Sequence, residues 1–225
     1  MGGVGNVALG SQTQLVDGRG RSISTAILYE VVWALRGLSP GDEIRVRADP
    51  LPAVDSDVRA WCMTTGHELV AVEEPESARE YVIRKAGEVR EQPAWAMVIS
   101  NPGLEELLSP LGFALGAALG GSAVALYFQG PAVRVLAASF SERLPGWRRP
   151  FSGFARRGLA RTGHPPPHEK LRQLETLGAR IYICGPSMEH FKVAVEDLFL
   201  AEIHIAAYPT FVEEMNRAGV QVFLQ

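Results

Sequence analysis

The sequence predicts an α/β protein in two parts: an N-terminal two-layer α+β sandwich of order βαβαββ, then a doubly wound, mainly parallel five-stranded α/β domain. Three observations carry this. Strand and helix patterns alternate before Pro93 and close on two successive strands. After Pro93, continuous apolar runs are separated by helical patterns, the signature of a parallel sheet covered on both faces. Between them, Ala86 to Pro93 is polar and ends in proline, as a linker does. The chain has 225 residues, room for two domains of about 100 residues each.

Residues 14–86 form the first domain. Gln14 to Val16 begins a strand, and Ser24 to Arg36 is a helix with Ile27, Leu28, Val31, Val32 and Leu35 on one side. Ser39-Pro-Gly-Asp42 is a turn, and Glu43 to Ala48 alternates as a half-buried strand. Val54 to Thr65 is a second helix, closed by Gly66 as glycine closes helices. His67 to Glu73 and Tyr81 to Lys85 are the last two strands. Residues 87–93 are the linker, and residues 1–13 read as a flexible tail without the basic start and apolar core of a signal peptide.

Residues 94–225 form the second domain, with strands at Trp95–Ser100, Ala123–Phe128, Ala179–Cys184, Glu202–Ala206 and Val220–Leu224. Helices fall at Leu104–Leu119, His168–Leu177, Met188–Leu198 and Thr210–Arg217. Leu111 to Phe128 is an uncharged run at the lower length limit for a membrane span. Gly120-Gly121 divides it into an Ala/Leu-rich part that favours helix and a Val/Tyr/Phe part that favours strand, so it reads as buried helix, turn and strand.

Composition excludes several classes. A hydrophobic fraction of 47%, a charged fraction of 21% and a net charge of −3 suit a globular protein and give no reason to expect nucleic acid or an acidic membrane. Two cysteines, Cys62 and Cys184, make no disulfide framework, so a reducing cytoplasm is the expected compartment.

Cys184 is the strongest candidate for chemistry. It ends the apolar strand Ile181-Tyr182-Ile183 and precedes Gly185-Pro186-Ser187, a helix start. A thiol there faces unpaired helix N–H groups and the positive end of the helix dipole, which favour thiolate. Ligands of parallel sheets also bind beyond the carboxyl ends of the strands. The alternative is a small buried apolar residue, a common fate of free cysteine.

The first part resembles the TusA (SirA-like) sulfur-carrier family. Leu15-Val16-Asp17-Gly18-Arg19-Gly20, Ser39-Pro40-Gly41-Asp42, Ala60 to Leu69 and Tyr81 to Lys85 carry the resemblance. That family holds sulfur on the cysteine of a Cys-Pro-x-Pro motif at the start of the first helix. Here Ile23 or Ser24 stands at that place, no proline follows, and Cys62 lies elsewhere, where it reads as helix packing. The second part resembles the DsrE/DsrF-like family, in particular its DsrE2-type branch. Ile181 to Met188, Glu196-Asp197-Leu198, Pro209-Thr210-Phe211 and the aromatic strand ending Tyr127-Phe128-Gln129-Gly130 carry it. In active members a cysteine at the place of Cys184 takes and passes sulfur as a persulfide. Fusions of the two modules also occur in larger thiol-redox proteins.

The resemblance implies a sulfur relay on Cys184, of sulfurtransferase type where it is enzymatic, with Gly185, Ser187 and Met188 stabilising the anion. It also implies thiol or persulfide donor and acceptor proteins, a small polysulfide as ligand, no cofactor, and a homo-oligomer, a trimer or a multiple of one. The alternative is a non-catalytic ligand-binding or scaffold protein.

Other candidates are weaker. Arg143, Arg148, Arg149, Arg156, Arg157 and Arg161 lie among Trp147, Phe151 and Phe154, a composition that suits an anion or partner loop as well as a surface loop. His164 and His168 lack the further ligands a metal needs, so no metal is expected. His190 reads as exposed on its helix, and Ser100 with Asn101-Pro102-Gly103 could line a ligand pocket.

Overall fold

The computed structural model describes residues 14–75, 77–140, 153, 157–158 and 164–224. The expected tail at residues 1–13 lies outside them. Two sheets organise the chain. The first has the order β1-β2-β4-β3, from β1 (Gln14–Asp17), β2 (Glu43–Ala48), β3 (Glu68–Glu73) and β4 (Arg79–Arg84). Strands β1 and β2 are parallel; β4 is antiparallel to both β2 and β3. In β2 every second residue is buried, because only one face is covered. Helices α1 (Ser24–Arg36) and α2 (Pro52–Thr65) cover it. Helix α2 ends on Gly66 at φ 87°, a left-handed conformation that glycine adopts without the Cβ penalty.

The second sheet has the order β8-β7-β6-β5-β9 and is parallel throughout: β5 (Trp95–Ile99), β6 (Val124–Phe128), β7 (Arg180–Cys184), β8 (Ile203–Ala206) and β9 (Val220–Leu224). The middle strand β6 is buried at every residue, the mark of a sheet covered on both faces. Helix α3 (Leu104–Leu119) packs against α4 (Pro167–Thr176), and α6 (Tyr208–Arg217) puts Phe211 against Tyr127 and Tyr182. Helix α3 stops at Gly120 and β6 begins at Val124, as the glycine pair predicts; no helix among the described residues is long and apolar enough to cross a membrane.

One element departs from expectation. The helix after Cys184 spans Gly185–Phe191 (α5), not Met188–Leu198. Pro186 suits the first turn because its missing N–H has no intrahelical partner there. Lys192, at φ 54°, then closes the helix in the left-handed region, with the Val193 N–H donating to Met188 O at 3.0 Å and the Lys192 N–H to Glu189 O. Residues Val195–Asp197 form only a single 3-10 turn.

The two sheets share one continuous apolar core through α1, α2 and α3. The Trp61 indole N–H of α2 donates to Leu119 O at the end of α3, 2.8 Å away. The stretch expected as a linker is pinned as well: the Arg90 N–H donates to Thr65 O and the Gln92 amide to Thr64 O.

Candidate functional site

Cys184 ends β7 and occupies the N-cap position of α5. Strand alternation puts its side chain on the face of Tyr182, and the parallel register Tyr127↔Tyr182 places Tyr127 of β6 diagonally beside it. Ser187 stands three residues on, in the first turn of α5. Its Oγ accepts the Gly130 N–H at 3.0 Å, which leaves its own hydroxyl hydrogen free to donate. The same strand ends bring in Ser100, whose Oγ accepts from Gln129 Nε2 at 3.0 Å. Asn101 caps its own turn by accepting the Gly103 N–H.

Electrostatically this thiol is poised. Burial pushes its pKa up, but the Ser187 hydroxyl, the Tyr127 hydroxyl and the Ser187 backbone N–H outweigh burial, and the net direction is down. Tyr127 shifts the opposite way, upward, from burial first and then from the nearby Cys184. The cap has no side-chain hydrogen bond, and among the described residues the buried Tyr127 hydroxyl has no partner other than this sulfur. These donors therefore gain their full partner only when the sulfur carries charge. The arrangement can hold a thiolate or a negatively charged terminal sulfur.

Cys184 is buried: it is 2% exposed, as closed as Cys62 at 3%. Exposure therefore does not separate the two thiols; surroundings do. Burial among the apolar residues of α2 pushes Cys62 up to about 11, and no donor offsets it. That fits the packing role expected of Cys62.

Of the expected anion-stabilising residues, Ser187 acts through both side chain and backbone. Gly185 and Met188 lie in the same turn, Met188 buried and Gly185 against Ile205. Tyr127 was the residue that sequence reading did not place in the site, though the register of two adjacent strands was its signal. His190 is exposed and stacks edge-on with Phe191. Arg143, Arg148, Arg149, Arg156 and Arg161 lie outside the described residues; Arg157 is described and exposed.

His164 and His168 are not brought together. His168 Nε2 meets Val135 O at 3.0 Å, between Phe140 and Phe199, whereas His164 lines a cavity near Lys170. Of the two residues expected at the carrier family's cysteine position, Ile23 is the N-cap of α1 and Ser24 its first residue; the Ser24 hydroxyl donates to Asp57. This hydroxyl lines a cavity bordered by Trp95 and Val220 at the amino ends of β5 and β9. Cys184 lies at the carboxyl end of the same parallel sheet. A five-residue strand separates the two edges by about 16 Å. That cavity is therefore not the thiol's pocket.

The family model for the DsrE/DsrF-like family matches residues 95–223, and the model for sulfurtransferase TusA matches residues 28–85. No curated protein matches the chain. Both families belong to sulfur relay, which supports a general role in sulfur transfer.

Proposed function

Since the chain belongs to the DsrE/DsrF-like family, which matches more than half of it, we propose that it relays sulfane sulfur as a persulfide on Cys184. The observation that carries this reading is the pair of donors on one buried sulfur, Ser187 and Tyr127, which favour its charged form. In the loading step the Cys184 thiolate attacks a terminal sulfur of a polysulfide dianion. The new S–S bond forms as the old one breaks, and a polysulfide shorter by one sulfur leaves with the electron pair. In the delivery step an acceptor thiolate attacks the outer sulfur of Cys184–S–S⁻ or its protonated form, and the Cys184 thiolate leaves. No net oxidant or reductant is consumed. Donor and acceptor are partner proteins bearing thiols or persulfides, or a small polysulfide.

The TusA-like part acts in this reading as a docking module rather than as a carrier. Ser24 cannot hold sulfur, and its hydroxyl is already committed to Asp57. Cold cyanolysis tests the relay: protein loaded with polysulfide and desalted should release thiocyanate in proportion to Cys184, and Cys184→Ser should release none. Equal thiocyanate from Cys184→Ser and the parent protein would remove Cys184 from the relay.

A further inference from the structure

The cavity between α1, α2 and α3 has a volume of about 760 Å³, within the size of small-molecule sites. Its walls are largely apolar: Leu28 and Trp61 on one side, Trp95, Leu108 and Phe113 on the other. Two polar groups in these walls lack the partners that buried groups normally have. Thr25 Oγ1 of α1 is buried and makes no hydrogen bond among the described residues. Lys170 of α4 is 1% exposed, and its ammonium, with three donors, has a single acceptor among the described residues, Leu108 O at 3.0 Å.

Among the described residues no carboxylate pairs with that charge. Burial alone pushes Lys170 down to about 8, and burial together with the neighbouring Lys170 lowers His164, which lines the same cavity. Asp57, the carboxylate in the cavity wall, accepts from Ser24. The floor between these groups is made of small residues. Gly112 would bring a Cβ within 3.7 Å of Lys170 Nζ, and a Cβ on Gly116 would meet nothing within 4 Å. An apolar slot ending on a buried cation, with a spare hydroxyl opposite, matches an amphipathic anion by both shape and charge.

We propose that this cavity binds a small organic monoanion, a carboxylate or sulfonate carried on an aromatic or aliphatic body, with Lys170 as its charge partner. The site is independent of Cys184, from which the sheet separates it.

Fluorescence titration of the full chain with anilinonaphthalene sulfonate and with its neutral parent, phenylnaphthylamine, tests the proposal. The two probes share a body and differ by the anionic group. The sulfonate should bind the tighter of the two. Lys170→Met should weaken the sulfonate by about tenfold, the worth of a charge-assisted hydrogen bond, and leave the neutral probe within about twofold. Gly116→Leu, which fills open space and replaces a helix glycine by a better helix former, should abolish binding of both. Cys184→Ser should change neither. Displacement of the bound probe by decanoate identifies a carboxylate ligand, and displacement by naphthalene sulfonate alone identifies a sulfonate. Equal binding of the two probes, unchanged sulfonate binding in Lys170→Met, retained binding in Gly116→Leu, or displacement by neither anion would each overturn the proposal.

Discussion

Replacing Lys170 by methionine should make the protein more stable at neutral pH. The lysine is enclosed by α3 and α4 with only Leu108 O as partner among the described residues, and burial holds its pKa at about 8 rather than 10.5. In the unfolded chain the group returns to its ordinary value. Between about pH 8 and pH 10.5 the unfolded chain therefore binds the extra proton, and by linkage stability contributed by this residue rises with pH across that window. Below pH 8 the group is charged in both states and its full cost stands, about 3 kcal/mol for this depression. Methionine has a similar length and no charge; it loses one hydrogen bond worth about 1 kcal/mol. Lys170→Met should thus gain about 2 kcal/mol at pH 7. Urea unfolding of both proteins at intervals from pH 7 to pH 10.5 measures this, and the difference between them cancels other titrating groups, Cys62 among them. The gap should narrow steadily above pH 8. A destabilised variant at pH 7 together with a pH-independent gap would refute the reasoning.

Ser187→Ala and Tyr127→Phe each remove a donor that favours the Cys184 thiolate, so the pH midpoint of iodoacetamide alkylation at Cys184 should move upward in both; an unmoved midpoint would show that the donors do not act on the sulfur. Trp61→Phe should cost about 1–3 kcal/mol in urea unfolding, because it leaves Leu119 O without its donor at the junction of the two sheets, while loading of Cys184 from polysulfide stays unchanged. Met63 on α2 is 73% exposed; if the first part docks acceptors through this helix, Met63→Glu should slow delivery to a protein acceptor and leave delivery to a small thiol at the parent rate.

The fold was legible because its signals are local and repeated. Alternation in Glu43–Ala48, the glycine pair after Leu119 and the apolar runs of β5 to β9 each carry their own period or punctuation. The length of α5 was not legible, because its end depends on Lys192 adopting a left-handed conformation that no glycine advertises. Cys184 itself was readable as a strand-to-helix thiol. Whether it was buried or open stayed undecided in the sequence, since enclosure comes from side chains on separate elements rather than from its own neighbours. The same holds for Tyr127, which reaches the sulfur only through the β6–β7 register. Joining the parts by Trp61 and Leu119 also changes how the first part should be probed. Deleting residues 1–88 would strip α1 and α2 from α3 and expose its apolar flank, so point changes on the outer surface are the cleaner test of docking.

Mass spectrometry of the intact chain after brief exposure to polysulfide, followed by mapping of the modified peptide, addresses the central claim most directly. The account predicts one added sulfur atom, carried on the peptide containing Cys184, removed by dithiothreitol, absent from Cys184→Ser and retained in Cys62→Ser. Sulfur on Cys62 alone, or an unmodified Cys184 in protein that remains folded, would contradict it.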